Sequence, residues 1–407
     1  MKAYQITQWG KMLEENEVPI PKPTGTEVLI KIRASGICHS DIHIWDGYFD
    51  LGSGKRITLE ERGLKLPFTM GHEPVGEVVA LGPEATGVGI GDRRIVYPWI
   101  GCGVCKVCKN GEELLCNDPI TVGTRRDGGY AEYLLAPHAK YLVSYDGVDE
   151  AFAATAACSG ITAYSALKKL KHLKSDQTVL IIGAGGVGLA AVGMAKAVLK
   201  TKIIVADVDP LKREAALKAG ADEVVDNGEP GIIKELLKQT DGGPYGVVDF
   251  VGAPATCSFG FQVLAKGGTL VVVGLYGGSM DLSLSMLPLK VVNIVGSYVG
   301  TQQDLVELLD LVKQGHVTPV PIIKRQLSEG ANRYPRFTKW KRHRALCANK
   351  LLNRLLVLII KIRFWITIRQ VYFLDGLSVS ITRLSYLARL FYPSRSHNAC
   401  QLYEPSH

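Results

Sequence analysis

The sequence predicts an α/β chain: a β-rich N-terminal domain followed by a doubly wound parallel-sheet domain. Three observations predict it. Residues 1–150 read as short strands punctuated by Pro and Gly. From about 155 to 298 short apolar strands alternate with helical stretches, the pattern of a parallel sheet with right-handed crossovers. Within that region a glycine-rich turn follows a strand directly and opens a helix. The chain has 407 residues, 47% hydrophobic and 21% charged, enough for roughly two to three domains and unlike disordered, collagenous or coiled-coil sequence.

In the first region VLIKIRA (28–34), GEVVAL (76–81) and AEYLLA (131–136) predict strands. In the second, the strands are TVLIIG, KIIVAD, VVDFVG, TLVVVG and VVNIVG, separated by helices such as LAAVGMAKAVLK and LKREAALKAG. QDLVELLDLVKQG (303–315) predicts an amphipathic helix stopped by Gly.

The net charge of +8 is unevenly placed. Residues 1–330 carry 33 Lys+Arg against 37 Asp+Glu, while residues 331–407 carry 14 against 2. The main body therefore gives no ground for nucleic-acid binding. The basic tail fits neither region. LLNRLLVLIIKIRFWITIRQVYF is apolar but interrupted by Arg354, Lys361, Arg363 and Arg369. It reads either as a basic membrane-surface segment or as a shifted or read-through frame never selected to fold; the abrupt change in composition favours the second. MKAYQITQWG has no apolar stretch, so no export signal is expected. No run reaches about 18 uncharged apolar residues, so no membrane span is expected for residues 1–330. A cytoplasmic location follows as an expectation.

Cys102, Cys105, Cys108 and Cys116 lie 3, 3 and 8 residues apart. Four thiolates so close can wrap one tetrahedral zinc with no open position, a structural staple. An iron–sulfur cluster uses the same residues, and a disulfide reading is disfavoured without an export signal. A second, dispersed set comprises Cys38, His39 and His43 in CHSDIH, His72 and Glu73 in GHE, and Cys158 in ACSG. Singly these residues are ordinary core or hydrogen-bonding residues. Three ligands of Cys, His, Cys type with an open position would make a catalytic zinc site.

Gly183, Gly185 and Gly188 match G-x-G-x-x-G between strand and helix, with Gly186 and Val187 inside the motif. The first glycine permits the turn, the second lets backbone approach a pyrophosphate, and the third lets helix pack on strand. The phosphate charge then meets a helix N-terminus. Asp207 follows at the end of KIIVAD, where a carboxylate binds ribose hydroxyls and repels a 2′-phosphate, so NAD is expected over NADP. Lys212 could reach ribose or phosphates or could simply be solvated, and Arg213 leaves some room for NADP.

Together these motifs resemble the zinc-dependent medium-chain alcohol dehydrogenases. C38-H-S-D-I-H43, G71-H-E73, G101-C-G-V-C-K-V-C-K-N-G-E-E-L-L-C116, G128-G-Y-A-E-Y133, A157-C-S-G-I-T162, G183-A-G-G-V-G188 and G296-S-Y-V-G300 carry the resemblance, collinear over about residues 1–330. GYFDLGSGKRITLEERGLKLPFTMGHE is most like the shorter, tetrameric prokaryotic type. The resemblance implies a GroES-like catalytic domain over 1–155, a Rossmann domain over 156–298, a return to the catalytic domain over 299–330, and an atypical tail over 331–407. It implies NAD, two zinc ions per chain, a small alcohol or carbonyl substrate, and a homotetramer or homodimer. Cys38, His72 and Cys158 would bind catalytic zinc, with Glu73 as an alternate or neighbouring ligand. Asp41 would orient His72, Ser40 would touch the substrate hydroxyl, and His43 would end a proton relay through the nicotinamide ribose. Trp99 would line the substrate pocket. Val273 and Gly274 would approach the carboxamide through backbone groups.

Two departures stand out. IGDRRIV (90–96) carries one residue more than the usual turn, and LSEGANRYPRF loses the helical pattern that the family continues. Arg344-Ala345-Leu346 is a faint echo of the family's closing strand. Polyol or formaldehyde dehydrogenases are the neighbouring readings within the family. A zinc-free quinone or enone reductase has no use for the cysteines, and an inactive product is the reading the tail raises.

Overall fold

The computed structural model describes residues 1–331. The basic segment beyond Ala331, with the Arg344–Leu346 echo, lies outside the described residues. Sixteen strands among the described residues fall into four sheets. The N-terminal region builds a five-stranded antiparallel sheet in the order Leu142–Ser144, Arg93–Val96, Pro74–Leu81, Val28–Ser35, Tyr133–Ala136. A three-stranded sheet orders Glu14–Glu17, Lys2–Ile6 and Phe68–Thr69, and Tyr48–Gly52 pairs with Lys55–Thr58 as a hairpin. Val28–Ser35 and Pro74–Leu81 slip register twice, bending the long strands.

The second region is a six-stranded, wholly parallel sheet ordered Glu223–Val225, Lys202–Ala206, Thr178–Ile182, Gly246–Asp249, Thr269–Val272, Asn293–Gly296. In chain order this is 3-2-1-4-5-6, the doubly wound dinucleotide arrangement. Its inner strands are covered on both faces, so they read as apolar runs: Val179, Leu180, Ile181, Val247 and Val248 are fully buried. Each such side chain contributes about 2 kcal/mol on burial. Glu223–Val225 is the strand that hydrophobic runs do not announce; it is short, half-buried and at the edge.

One apolar cluster runs from Val28, Ile30 and Val75 through Ile161, Tyr164 and Leu167 into Val179 and Ile181, so the two sheets share a core. The helix Gln302–Lys313 brings the chain back across this junction. Thr301 caps it, and Lys168 Nζ holds it through Asp304 and Glu307 at 2.9 and 2.8 Å. A single helical turn, Leu327–Ala331, covers the LSEGA residues where the sequence predicts loss of helix. No helix among the described residues is long and apolar enough to cross a membrane.

Candidate active site and metal centres

Cys38 caps the helix His39–Asp46. Asp41, at its third position, accepts the Cys38 backbone N–H at 2.9 Å and closes a capping box. The same carboxylate reaches His72: Asp41 Oδ1 lies 2.9 Å from His72 Nδ1, with both side chains fully buried. This bond sets the tautomer with the Nδ1 proton toward Asp41 and leaves Nε2 as an acceptor. Nε2 is buried and hydrogen-bonded to nothing.

Cys158 arrives from 120 residues away, with Sγ 3.8 Å from Cys38 Sγ. It sits in a π-helical turn, Ala156–Gly160, at the junction of two helices. Such turns free carbonyls from the regular ladder and cluster at functional sites. Here side chains take two of them: Trp99 Nε1 donates to Ala157 O at 2.9 Å and Thr162 Oγ1 donates to Cys158 O at 2.6 Å. Ligand atoms of Cys38, His72, Glu73 and Cys158 all lie within 4.8 Å of one another. His39 and His43 stand outside that set. His39 is exposed in the first helical turn, while His43 is buried with its ring 5.3 Å from Phe49. Ser40 is half-buried beside Cys38. The buried Trp99 ring lies 5.5 Å from His72 and 5.7 Å, edge-on, from Tyr298, so both aromatics flank the centre. Tyr298 was not singled out in the sequence, although it stands within G296-S-Y-V-G300.

The electrostatics of this set favour a cation. The hydrogen bond from Cys158 holds the Cys38 thiol well below its ordinary range. The same hydrogen bond, with burial, pushes Cys158 well up. Burial and then the Cys38 charge push Glu73 up. For His72, burial alone would lower the pKa, but Asp41 and Cys38 outweigh it and raise it. Negative charge is crowded into a buried site, and a divalent ion would displace the protons it retains. Two sulfurs on a tetrahedral zinc with 2.3 Å bonds lie about 3.8 Å apart, which the Cys38–Cys158 spacing matches. The donor set and the bare Nε2 therefore fit zinc.

The four-cysteine loop passes the same test. Its sulfurs lie 3.9 Å (Cys102–Cys108), 3.4 Å (Cys105–Cys108) and 3.9 Å (Cys105–Cys116) apart. All four are free thiols; a disulfide would bring two sulfurs to about 2 Å. Backbone N–H groups of Val104 and Cys105 pull the Cys102 thiol down to about 6, whereas burial pushes Cys108 up to about 12. Cys105→Ser is expected to lose one zinc per chain and roughly 3 kcal/mol or more of stability, measured by metal analysis and calorimetric melting. An unchanged melting point would remove the staple role.

At the parallel sheet, Gly183 turns the chain at φ 90° at the end of Thr178–Ile182. A Cβ on Gly188 would sit 1.8 Å from Gly183 O, so only glycine lets this helix approach. A Cβ added at Gly185 or Gly186 would meet no protein atom within 4 Å, so no protein neighbour requires glycine at this N-terminus of Gly186–Val198. Val187 is half-buried in the first turn. Asp207 is buried just beyond Lys202–Ala206, and its carboxylate accepts N–H bonds from Ala184 and Asp209, both at 2.9 Å. Lys212 Nζ stands 3.7 Å from it. Arg213 is committed to Asp207 O and to Asp226, at 2.6 and 2.9 Å. Val273 and Gly274 both donate their N–H to Asp249 O, at 2.9 and 3.0 Å.

A Cys–His–Cys set under a β-rich domain, joined to a dinucleotide sheet, defines a metal-dependent nicotinamide oxidoreductase. Comparison with known proteins agrees. The alcohol dehydrogenase GroES-like domain matches residues 24–146 and the zinc-binding dehydrogenase domain matches 186–314. An NAD-dependent alcohol dehydrogenase of Sulfurisphaera tokodaii is 40% identical over 334 residues, 82% of this chain and 94% of that protein. The crystal structure of the alcohol dehydrogenase of Aeropyrum pernix superposes with TM-score 0.74 at 31% identity, over 83% of this chain and 97% of that one. The D-arabinose dehydrogenase of Sulfolobus solfataricus gives TM-score 0.71 at 29% identity, over 80% and 97%. The chain belongs to the zinc-dependent medium-chain alcohol dehydrogenase family.

Proposed function

We propose that this protein oxidises a primary or secondary alcohol to an aldehyde or ketone with transfer of hydride to NAD, and runs the reverse reaction when carbonyl and NADH are supplied. The observation that carries the reading is the convergence of Cys38, His72, Glu73 and Cys158 within 4.8 Å in a chain whose sheet presents the dinucleotide fingerprint. When bound, zinc supplies Lewis acidity to the alcohol oxygen and the nicotinamide accepts the hydride. Cys38, His72 and Cys158 hold the ion, Glu73 stands by as an exchangeable ligand, and Asp41 orients His72. Ser40 takes the hydroxyl proton and His43 delivers it toward solvent. Trp99 walls the substrate. Gly183, Gly185, Gly186, Val187 and Gly188 hold the pyrophosphate, Asp207 the ribose, Lys212 its edge, and the Val273 and Gly274 carbonyls accept from the carboxamide amide. Cys102, Cys105, Cys108 and Cys116 hold a second, structural zinc.

The division into 1–155, 156–298 and 299–330 goes with this reading. Thiolate centres of this kind persist in a reducing compartment, which supports the cytoplasm. Assembly into a homodimer or homotetramer is supported by the strand Asn293–Gly296. It has no partner on its outer edge among the described residues, and Leu284, Leu289, Val291 and Ile294 are exposed around it.

The test is NADH formation across primary, secondary and aromatic alcohols and a sugar such as D-arabinose, before and after chelation. Chelation is expected to remove at least nine-tenths of the activity, with zinc restoring it. Activity indifferent to chelation would refute the metal role, and turnover of the sugar alone would move the substrate class to that of the D-arabinose enzyme.

A further inference from the structure

Asp41 is a fully buried carboxylate that holds two candidate ligands at once: Cys38 through its backbone N–H and His72 through Nδ1, each at 2.9 Å. One more donor reaches it. Tyr130, itself buried, donates its hydroxyl to Asp41 Oδ2 at 2.9 Å, with Gly36 O 3.2 Å away. The tyrosine ring bears on the same ligand from another side. Gly71, immediately before His72, stands at φ 98°, and a Cβ there would meet Tyr130 Cδ1 at 2.6 Å. The backbones are zipped together as well: Gly129 N donates to Gly71 O at 2.7 Å and Tyr130 N to Met70 O at 3.0 Å.

A carboxylate can turn about its Cβ–Cγ bond unless both oxygens are engaged. The Cys38 N–H and the Tyr130 hydroxyl converge on Oδ2 and so leave Oδ1 aimed at His72. From this geometry we propose that Tyr130 is a positioning residue of the Cys38–His72–Cys158 metal centre. It acts through Asp41 to fix the direction of two ligands together, and so sets how firmly that centre retains its metal. The proposal rests on the reading of this centre as the catalytic zinc site. Partners that orient metal ligands typically change metal affinity by 10–100-fold when removed.

The test is the rate of zinc release from the full-length holoprotein to a chromogenic chelator, comparing the parent with Tyr130→Phe, which keeps the ring and removes the hydroxyl. Cys158→Ser protein, lacking one release phase, assigns the two phases. Tyr130→Phe is expected to speed release from the Cys38–His72–Cys158 centre about 10-fold and to leave the four-cysteine phase unchanged. In an Asp41→Ala background, where the carboxylate that accepts the Tyr130 hydroxyl is gone, the same change is expected to add nothing. An unchanged catalytic-site phase would overturn the proposal. So would equal acceleration of both phases, the mark of general loosening, or a full effect that persists without the Asp41 carboxylate. If the parent itself releases zinc only from the four-cysteine loop, the reading of the site fails and the proposal with it; failure of the proposal alone shows only in the variants.

Discussion

Cys158→Ser is expected to lower kcat/KM for alcohol oxidation by about three orders of magnitude or more. A serine hydroxyl at this depth stays protonated and makes a poor ligand, so the centre keeps one thiolate, His72 and the exchangeable Glu73. Polarisation of the substrate oxygen by a bound metal is worth several kcal/mol, and the loss of about 4 kcal/mol corresponds to roughly a thousandfold in rate. The fold should survive. The side chain is 5% exposed, the replacement is close in volume, and burying one more hydroxyl costs about 1–3 kcal/mol. NADH formation, zinc per chain and thermal melting check the three parts. A variant that keeps a tenth of its activity with full zinc would strip Cys158 of the ligand role.

Asp207→Gly is expected to reverse much of the preference for NAD over NADP. On the proposed reading the carboxylate faces the ribose 2′-oxygen, and a phosphate there would meet a charge about 4 Å away. At an effective dielectric of 20 such a pair is worth about 4 kcal/mol before salt screening. The ratio of kcat/KM for the two cofactors should therefore fall by roughly a hundredfold. Lys212, 3.7 Å from the carboxylate, is the cation released to meet the phosphate; Arg213 stays with Asp226. Activity with NAD should itself fall, because the N–H groups of Ala184 and Asp209 lose their acceptor. Asp207→Asn separates the two effects, since it keeps an acceptor and removes the charge. Cofactor kinetics unchanged in both variants would take Asp207 out of the ribose site.

The parallel sheet and its glycine turn were legible because their determinants are local. The TVLIIG strand, Gly183 and Gly188 act within ten residues of one another, and each has one physical task. The four cysteines are legible for the same reason. The dispersed centre is different. No spacing argument brings Cys158 to Cys38 across 120 residues; only the resemblance named that pair, and the 3.8 Å approach depends on a π turn that no hydrophobic period encodes. Tyr130 stood inside the motif GGYAEY, but its contact with Asp41 spans 89 residues and leaves no mark on composition or period. His39 shows the converse: its place in CHSDIH offers it as a ligand, and the helical turn after Cys38 carries it to the surface.

The two cysteine-bearing sites also differ in when a growing chain can complete them. The last cysteine of the loop follows the first by 14 residues, whereas Cys158 is synthesised 120 residues after Cys38. Loop-closure entropy makes the longer span harder to close by about 2 kcal/mol. A nascent chain can thus load its four-cysteine lobe while the rest is still unmade. The dispersed centre stays incomplete until Cys158 has been made and brought back to Cys38, so it is the later of the two to assemble.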